Sequence, residues 1–242
     1  MAEIITDPKN LIIAILSGAV PAILWLWFWL KQEDGEKPEP FGLIALTFLV
    51  GGLLVFIAIA LERYSLNFIG TDNTSQIILW ATLEEILKLL GVMIIIWGNS
   101  AVDEPIDYPM YFIACGLGFA AFENVLYLLE PLKVSGAVVG MLTGNLRFLG
   151  STLLHAIASG MIGSAMGLTF YLNKYRKRYV LTGVILAIVL HSAFNFFIMK
   201  GSGENFLGVF GFLWVVAIIN ILIFEKLKRM GGEDSSYTEQ NI

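Results

Sequence analysis

The sequence predicts an all-α protein, a polytopic bundle of transmembrane helices, and three observations carry that prediction. Of the 242 residues, 57% are hydrophobic and 14% charged, where an ordinary globular chain has roughly 45–50% and roughly 25%. Mean hydropathy is +0.77. The apolar residues are gathered into runs of about 20, the length a helix needs to cross the hydrocarbon core. Charge this sparse excludes a water-soluble particle of this size and a disordered chain. A single cysteine, Cys115, excludes a disulfide scaffold or a zinc-finger domain. A net charge of −5 without a large basic surface argues against a nucleic-acid partner. The expected surroundings are membrane lipids.

The runs are 11–30, 41–61, 76–97, 108–129, 148–172, 179–199 and 206–224, about seven spans. All are read as helices, because backbone polar groups facing lipid must be satisfied within their own segment. The first run is too long for a cleavable signal, and acidic Glu3 and Asp7 precede it. The connectors at 33–40, 70–74 and 105–109 hold the Gly, Pro, Asp and Asn of turns. Segment 131–147 is glycine-rich and short for a crossing, so it is a re-entrant or interfacial piece, or makes an eighth span. Residues 1–230 form a single helical domain with a motif-bearing core at 76–197, and 231–242 is a polar tail expected to be disordered. Trp25, Trp27, Trp29 and Trp97 are expected as interfacial anchors, and Cys115 as a small buried apolar residue.

Orientation follows from the basic loop residues. Lys174, Arg176, Lys177 and Arg178 form one cluster, and Lys226, Lys228 and Arg229 follow the last span. Two spans separate the groups, so both lie on one side, the cytoplasmic one, with the C-terminus inside and the N-terminus outside.

Seven ionisable side chains fall within or at the edge of these runs: Glu84, Glu85, Lys88, Glu123, Arg147, His155 and His191. Each charge at mid-bilayer costs at least about 2.5–3.5 kcal/mol, so together they are expected to face one another or water. Glu84 and Lys88 stand one turn apart, with Glu85 pointing about 100° round the helix. His191 and Asn195 share a face, and Arg147, Ser151 and His155 follow one stripe. Glu123, followed by Asn124, comes after a run of small residues that permits close helix approach. Counting rise per residue with alternating span directions puts Glu84, Glu123, His155 and His191 at one level, in the extracytoplasmic half.

Such a group can hydrolyse in two ways. Glutamate and histidine can bind zinc, which lowers the pKa of its water to about 7. Otherwise a desolvated glutamate is itself the general base, with histidine and asparagine at the oxyanion. No His-Glu-x-x-His run is present, no aspartate sits inside an apolar run, and Ser151 lacks a nucleophile-elbow context. The competing structural readings are an ion pair for Glu84 and Lys88, a hydrogen-bonded clamp for His191 and Asn195, a packed neutral His155, and an Arg147 that snorkels to the interface. Two further function classes share these residues: a proton or cation relay in a transporter, and a scaffold ordered by its polar cluster.

Taken in order, Glu84-Glu85-x-x-Lys88, Phe119-x-x-x-Glu123-Asn124, His155 behind Arg147, and His191-x-x-x-Asn195 resemble the PrsW intramembrane proteases, and more distantly the CAAX prenyl endopeptidases and bacteriocin-processing enzymes. In the latter, histidine usually stands where this chain has Glu123. The resemblance implies a multi-pass cell-membrane peptidase that cleaves a membrane-anchored protein, such as an anti-sigma factor, at its extracytoplasmic side. It implies Glu84, Glu85, Glu123, His155 and His191 as the catalytic set, with Glu84 and Glu85 leading in water activation. Lys88, Asn195, Asn124 and Arg147 would support them. Zinc, where used, would be held by Glu85, Glu123, His155 and His191; a glutamic mechanism would need no metal.

Overall fold

The structure, a computed structural model, describes residues 8–33, 38–69, 73–172, 174–200 and 206–239, with side chains described except at 73, 130–149, 199–200, 206 and 232–239. Six helices follow along the chain: α1 (Pro8–Leu30), α2 (Phe41–Ser65), α3 (Asn73–Ile96), α4 (Asp107–Gly167), α5 (Arg176–Lys200) and α6 (Phe206–Glu239). Among the described residues there is no strand. Five segments are long and apolar enough to cross a membrane: α1, α2, Asp107–Leu129 of α4, Arg176–Ile198 of α5 and Leu207–Gly231 of α6. Helix α3 has the length of these spans, but its apolar sequence is interrupted by Glu84, Glu85 and Lys88. Gly98, at φ 70°, takes the left-handed turn that ends α3.

Helix α4 supplies two of the expected spans. Glu123 and His155 are 32 residues apart, about 48 Å along a straight helix, yet their side chains meet at 2.8 Å. Its two arms, 107–129 and 150–167, therefore lie side by side and antiparallel. Gly163 rests against Pro109, Gly116 against His155 and Ser159, and the Asn124 amide donates to Thr152 Oγ1 at 3.1 Å. Residues 131–147, which join the arms, are helical within α4; their side chains, that of Arg147 included, lie outside the described ones. Helix α6 runs past its last apolar residue to Glu239, into the polar tail.

The first arm of α4 is the axis of the bundle, with Tyr111, Phe112, Leu117 and Phe119 all buried. Small residues set its distance from α2. A Cβ on Gly118 would meet the Phe48 carbonyl, and one on Gly51 the Cys115 carbonyl, so backbone touches backbone at this crossing. On the far side, Asn220 of α6 donates to the Ile157 carbonyl at 2.9 Å and accepts from Ser164 at 3.2 Å. Both ends of that amide are satisfied, as befits a structural clamp. Trp29 departs from its expected role as an interfacial anchor. It is buried and tilted against Phe224 at 5.1 Å, because α1 turns this face inward, while Trp27 and Trp97 are exposed. Cys115 is buried among apolar neighbours, as expected.

One end of the bundle gathers the basic residues. Lys228 donates to the Gln32 carbonyl at 3.0 Å, Leu227 lies beside Gly167, and the Arg176 guanidinium bonds the Tyr108 hydroxyl while stacking 5.0 Å over its ring. Glu39 sits here too, buried, accepting from the Tyr111 hydroxyl, with its own N–H donated to Glu33 at 2.7 Å. Burial lifts the Glu39 carboxyl above its ordinary range against the hydrogen bonds of Tyr111 and Asp107, and neighbouring Glu33 and Asp103 push the same way as burial. At about 1.5 Å rise per residue, Glu84, Glu123, His155 and His191 all lie roughly 18–24 Å from this end, past the middle of the helices.

Two outcomes follow from this packing. Gly118→Ala should destabilise the bundle by about 1–3 kcal/mol through overpacking, whereas Gly211→Ala, where a Cβ meets open space, should cost nothing; thermal unfolding in detergent measures both. Glu39 holds its proton more tightly in the folded state than in the unfolded chain, so its contribution is lost as pH rises above the ordinary carboxylate range. Glu39→Gln should accordingly raise the melting temperature at pH 8 and change it little at pH 4, and a larger gain at pH 4 would contradict the assignment.

Candidate active site

Lys88 stands at the centre of the polar residues. Its ammonium, fully buried, donates to Glu85 Oε1 at 2.7 Å and to His155 Nδ1 at 2.7 Å, lies 3.7 Å from Glu84 Oε2, and sits 4.4 Å over the Phe119 ring. The sequence suggests that Lys88 offsets Glu84 while Glu85 turns away. Instead Lys88 is tighter to Glu85, because i,i+3 neighbours are also in reach and the flexible stem bends back.

The hydrogen bonds fix both imidazoles. An ammonium has donors only, so His155 Nδ1 accepts from Lys88, and Nε2–H donates to Glu123 Oε2 at 2.8 Å. Helix α5 brings His191 into edge contact with His155, ring centroids 5.0 Å apart. Its Nδ1–H donates to Glu85 Oε1 at 2.8 Å, leaving Nε2 turned toward Glu84 Oε2 at 3.7 Å. Each histidine is thus oriented by its own carboxylate, the arrangement that fixes the tautomer of metal-binding imidazoles. Ser151 Oγ lies 3.5 Å from Glu123 Oε2. With both nitrogens of His155 engaged, no imidazole is placed to activate that serine.

A cavity of about 460 Å³ opens beside this cluster, toward the end of the bundle away from the basic residues. Its walls include Glu62 of α2, Trp80 and Glu84 of α3, Glu123 and Tyr127 of α4, and Asn195 of α5. Three carboxylates therefore reach one volume. The Glu123 side chain is 35% exposed, the most open group of the cluster, whereas Glu85 is fully buried. Glu84 Oε2 is buried without a hydrogen-bond partner. Glu84 and Glu123 face the cavity, while Glu85 lies behind them as the support of His191 and Lys88.

The structure thus brings together Glu84, Glu85, Lys88, Glu123, His155 and His191, with Asn195 on the cavity wall. Asn124 is spent on Thr152 between the α4 arms. Asn195 lines the cavity, while the two nitrogens of His191 face Glu84 and Glu85. Glu62 went unremarked in the sequence because it falls just past an apolar run, beside Arg63, where charge is unexceptional. The signal that finds it is topological: with alternating spans, the end of α2 and the start of α3 share one side.

Among the described residues, one group has donors close enough for a metal: Glu84, His155 and His191, whose ligand atoms lie within 4.8 Å of one another. Glu84 takes the place the sequence reading gives to Glu85 and Glu123, because those two carboxylates are engaged on the histidine N–H groups. The fit is good in donor type, two imidazoles and a carboxylate being a known zinc set, provided the Lys88 ammonium moves off His155 Nδ1, whose lone pair it occupies here. It is good in charge as well: with neutral imidazoles, three carboxylates against one ammonium leave an excess of two negative charges. Lys88 is the one cation already among these donors.

Fold and site together define a polytopic membrane protein with a carboxylate–imidazole centre of hydrolytic type inside its helices. Residues 39–222 match the family described as PrsW family intramembrane metalloprotease. The chain is 30% identical to the protease PrsW of Geobacillus kaustophilus over 224 residues, which cover 90% of this chain and 92% of that protein. Similarity to the PrsW proteases of Halalkalibacterium halodurans (27%, covering 89% and 99%) and Bacillus subtilis (28%, covering 87% and 89%) is of the same extent. No solved structure matches the chain significantly. The chain belongs to the PrsW family of intramembrane proteases, and membership decides for the protease over the relay and the scaffold.

The ion-pair geometry predicts a stability effect separable from activity. Lys88→Met leaves buried carboxylates uncompensated and should cost about 3–5 kcal/mol. Adding Glu85→Gln should recover part of that loss, and strictly additive losses in thermal unfolding would contradict a central role for the ammonium.

Proposed function

We propose that this protein cleaves a membrane-anchored protein, of the anti-sigma-factor kind, at a bond near its extracytoplasmic membrane boundary. The observation that carries this reading is Glu84: its residue lines a large cavity, and its buried Oε2, 3.7 Å from both Lys88 Nζ and His191 Nε2, has no hydrogen-bond partner. Such an atom is costly unless it serves water, substrate or a cation. The orientation rests on the basic residues at the opposite end of the bundle, which the positive-inside rule makes cytoplasmic.

In this reading Glu84, His191 through Nε2 and, once the Lys88 ammonium moves off it, His155 through Nδ1 would hold a divalent metal, which would supply Lewis-acid activation of a water. The chain's own groups do the rest. Glu85 fixes His191 with Nε2 toward Glu84. Glu123, open to the cavity, takes the proton of the attacking water and passes it to the departing amine. Asn195, on the cavity wall, donates its amide to the developing oxyanion. Lys88 holds Glu85 in register and balances its charge.

Proteolysis of a single-span reporter in proteoliposomes tests the assignment, paired with metal analysis of each purified variant. Glu123→Gln should lose at least about 10²-fold in rate and keep its metal. Glu84→Gln should lose both activity and metal, and Glu85→Gln should abolish cleavage while the bundle stays folded. Full activity in Glu84→Gln would overturn the reading; a metal-free wild type that chelators leave active would move the water to Glu84 itself.

A further inference from the structure

The centre described above is internally compensated in part, since Glu85 and Glu123 each hold a histidine and Lys88 binds two of the groups. Glu62 is not. It lines the same cavity from α2, half-buried, and its carboxylate has no ion-pair or hydrogen-bond partner among the described residues. Among the described residues no basic side chain lines the cavity with it; the polar lining is Glu62, Glu84, Glu123 and Asn195, set among apolar residues and the rings of Trp80, Phe119 and Tyr127. Lys88 lies behind Glu84 rather than on the wall. The volume is therefore both anionic and aromatic, a combination that favours a cationic side chain.

Position within α2 sharpens the argument. Glu62 stands one turn before the helix end at Ser65, whose Oγ accepts from Trp80 Nε1 at 3.3 Å. It thus marks the level where a substrate helix passes from apolar to polar sequence and where basic flanking residues occur in membrane proteins. Glu84 and Glu123 each lie beside a histidine of the centre, and Glu84 beside Lys88 as well; Glu62, on the same cavity but with no ion pair among the described residues, is placed to hold the substrate.

We propose that Glu62 is a specificity-determining residue: it receives a lysine or arginine side chain of the substrate and thereby sets which peptide bond lies over Glu84 and Glu123. This rests on the cavity being the substrate site, as in the function proposed above, but it requires no particular metal or base. A mutated Glu62 leaves the chemistry intact and removes the preference for a basic residue.

Binding tests this without depending on turnover. The probes are synthetic single-span peptides in nanodiscs, each carrying one lysine at one of six positions near the polar end of the span, with glutamine at that position in a matched partner. For wild-type protein, at one or two adjacent registers the lysine peptide should bind about tenfold more tightly than its glutamine partner. Glu62→Gln should bind the pair equally, and Glu62→Lys should prefer a peptide with glutamate at that register. The same peptides in a cleavage assay should show the effect in KM, with kcat little changed. Absence of any register-dependent preference in the wild type, or a preference that survives Glu62→Gln, overturns the proposal. A preference lost in Glu62→Gln with no cleavage of any peptide by wild-type protein would sustain this inference and count against the proteolytic reading instead.

Discussion

A lysine ammonium with no exposure to solvent is tolerated in a bundle of this kind only when its surroundings return what hydration gave it. Lys88 has that from two carboxylates on its own helix, an imidazole from the second arm of α4 and the face of Phe119. Two of these groups make further hydrogen bonds in turn. Glu85 holds His191, His155 holds Glu123, and the two imidazoles touch edge to face. Removing the lysine would therefore unsettle not one ion pair but the tautomer and aim of both histidines. The packing of α3, α4 and α5 is arranged around this requirement.

The close helix approach follows from it. Polar side chains of ordinary length can meet across helices only when the backbones come near, and the α2–α4 crossing at Gly51 and Gly118 leaves no room for a Cβ on either side. The fold of α4 into antiparallel arms brings residues far apart in sequence onto one level, and its tie at Asn124–Thr152 holds Glu123 and His155 opposite one another. Contrast Asn220, whose amide is satisfied at both ends and reads as a clamp, with Glu84, whose Oε2 has no hydrogen-bond partner. Both are buried polar groups, and only the second belongs to a residue that lines the cavity.

Much of this was legible in the sequence. Seven apolar runs correspond to five helices and the two arms of α4, because length and hydropathy are dictated by the bilayer. The convergence of Glu84, Glu123, His155 and His191 was readable from depth alone, since rise per residue and alternating direction leave little freedom. What periodicity could not supply was the partition of tasks between adjacent carboxylates. Glu84 and Glu85 differ by about 100° of helix rotation, and which faces the cavity depends on how α3 is rolled against α5, a tertiary property. Trp29 was misjudged for the same reason: tryptophan near a span end suits an interface, but here α1 presents it to Phe224. Glu62 was hidden by its position at a run boundary, where composition makes charge unremarkable.

The central claim is that water reaches these carboxylates from the end of the bundle opposite the basic cluster. Chemical accessibility tests it most directly. In a Cys115→Ala background, a cysteine placed at Glu123 should react with a membrane-impermeant thiosulfonate reagent applied to the extracytoplasmic face, while one at lipid-facing Ile57 should not. Labelling of both positions alike, or of position 123 only from the cytoplasmic face, would contradict the account.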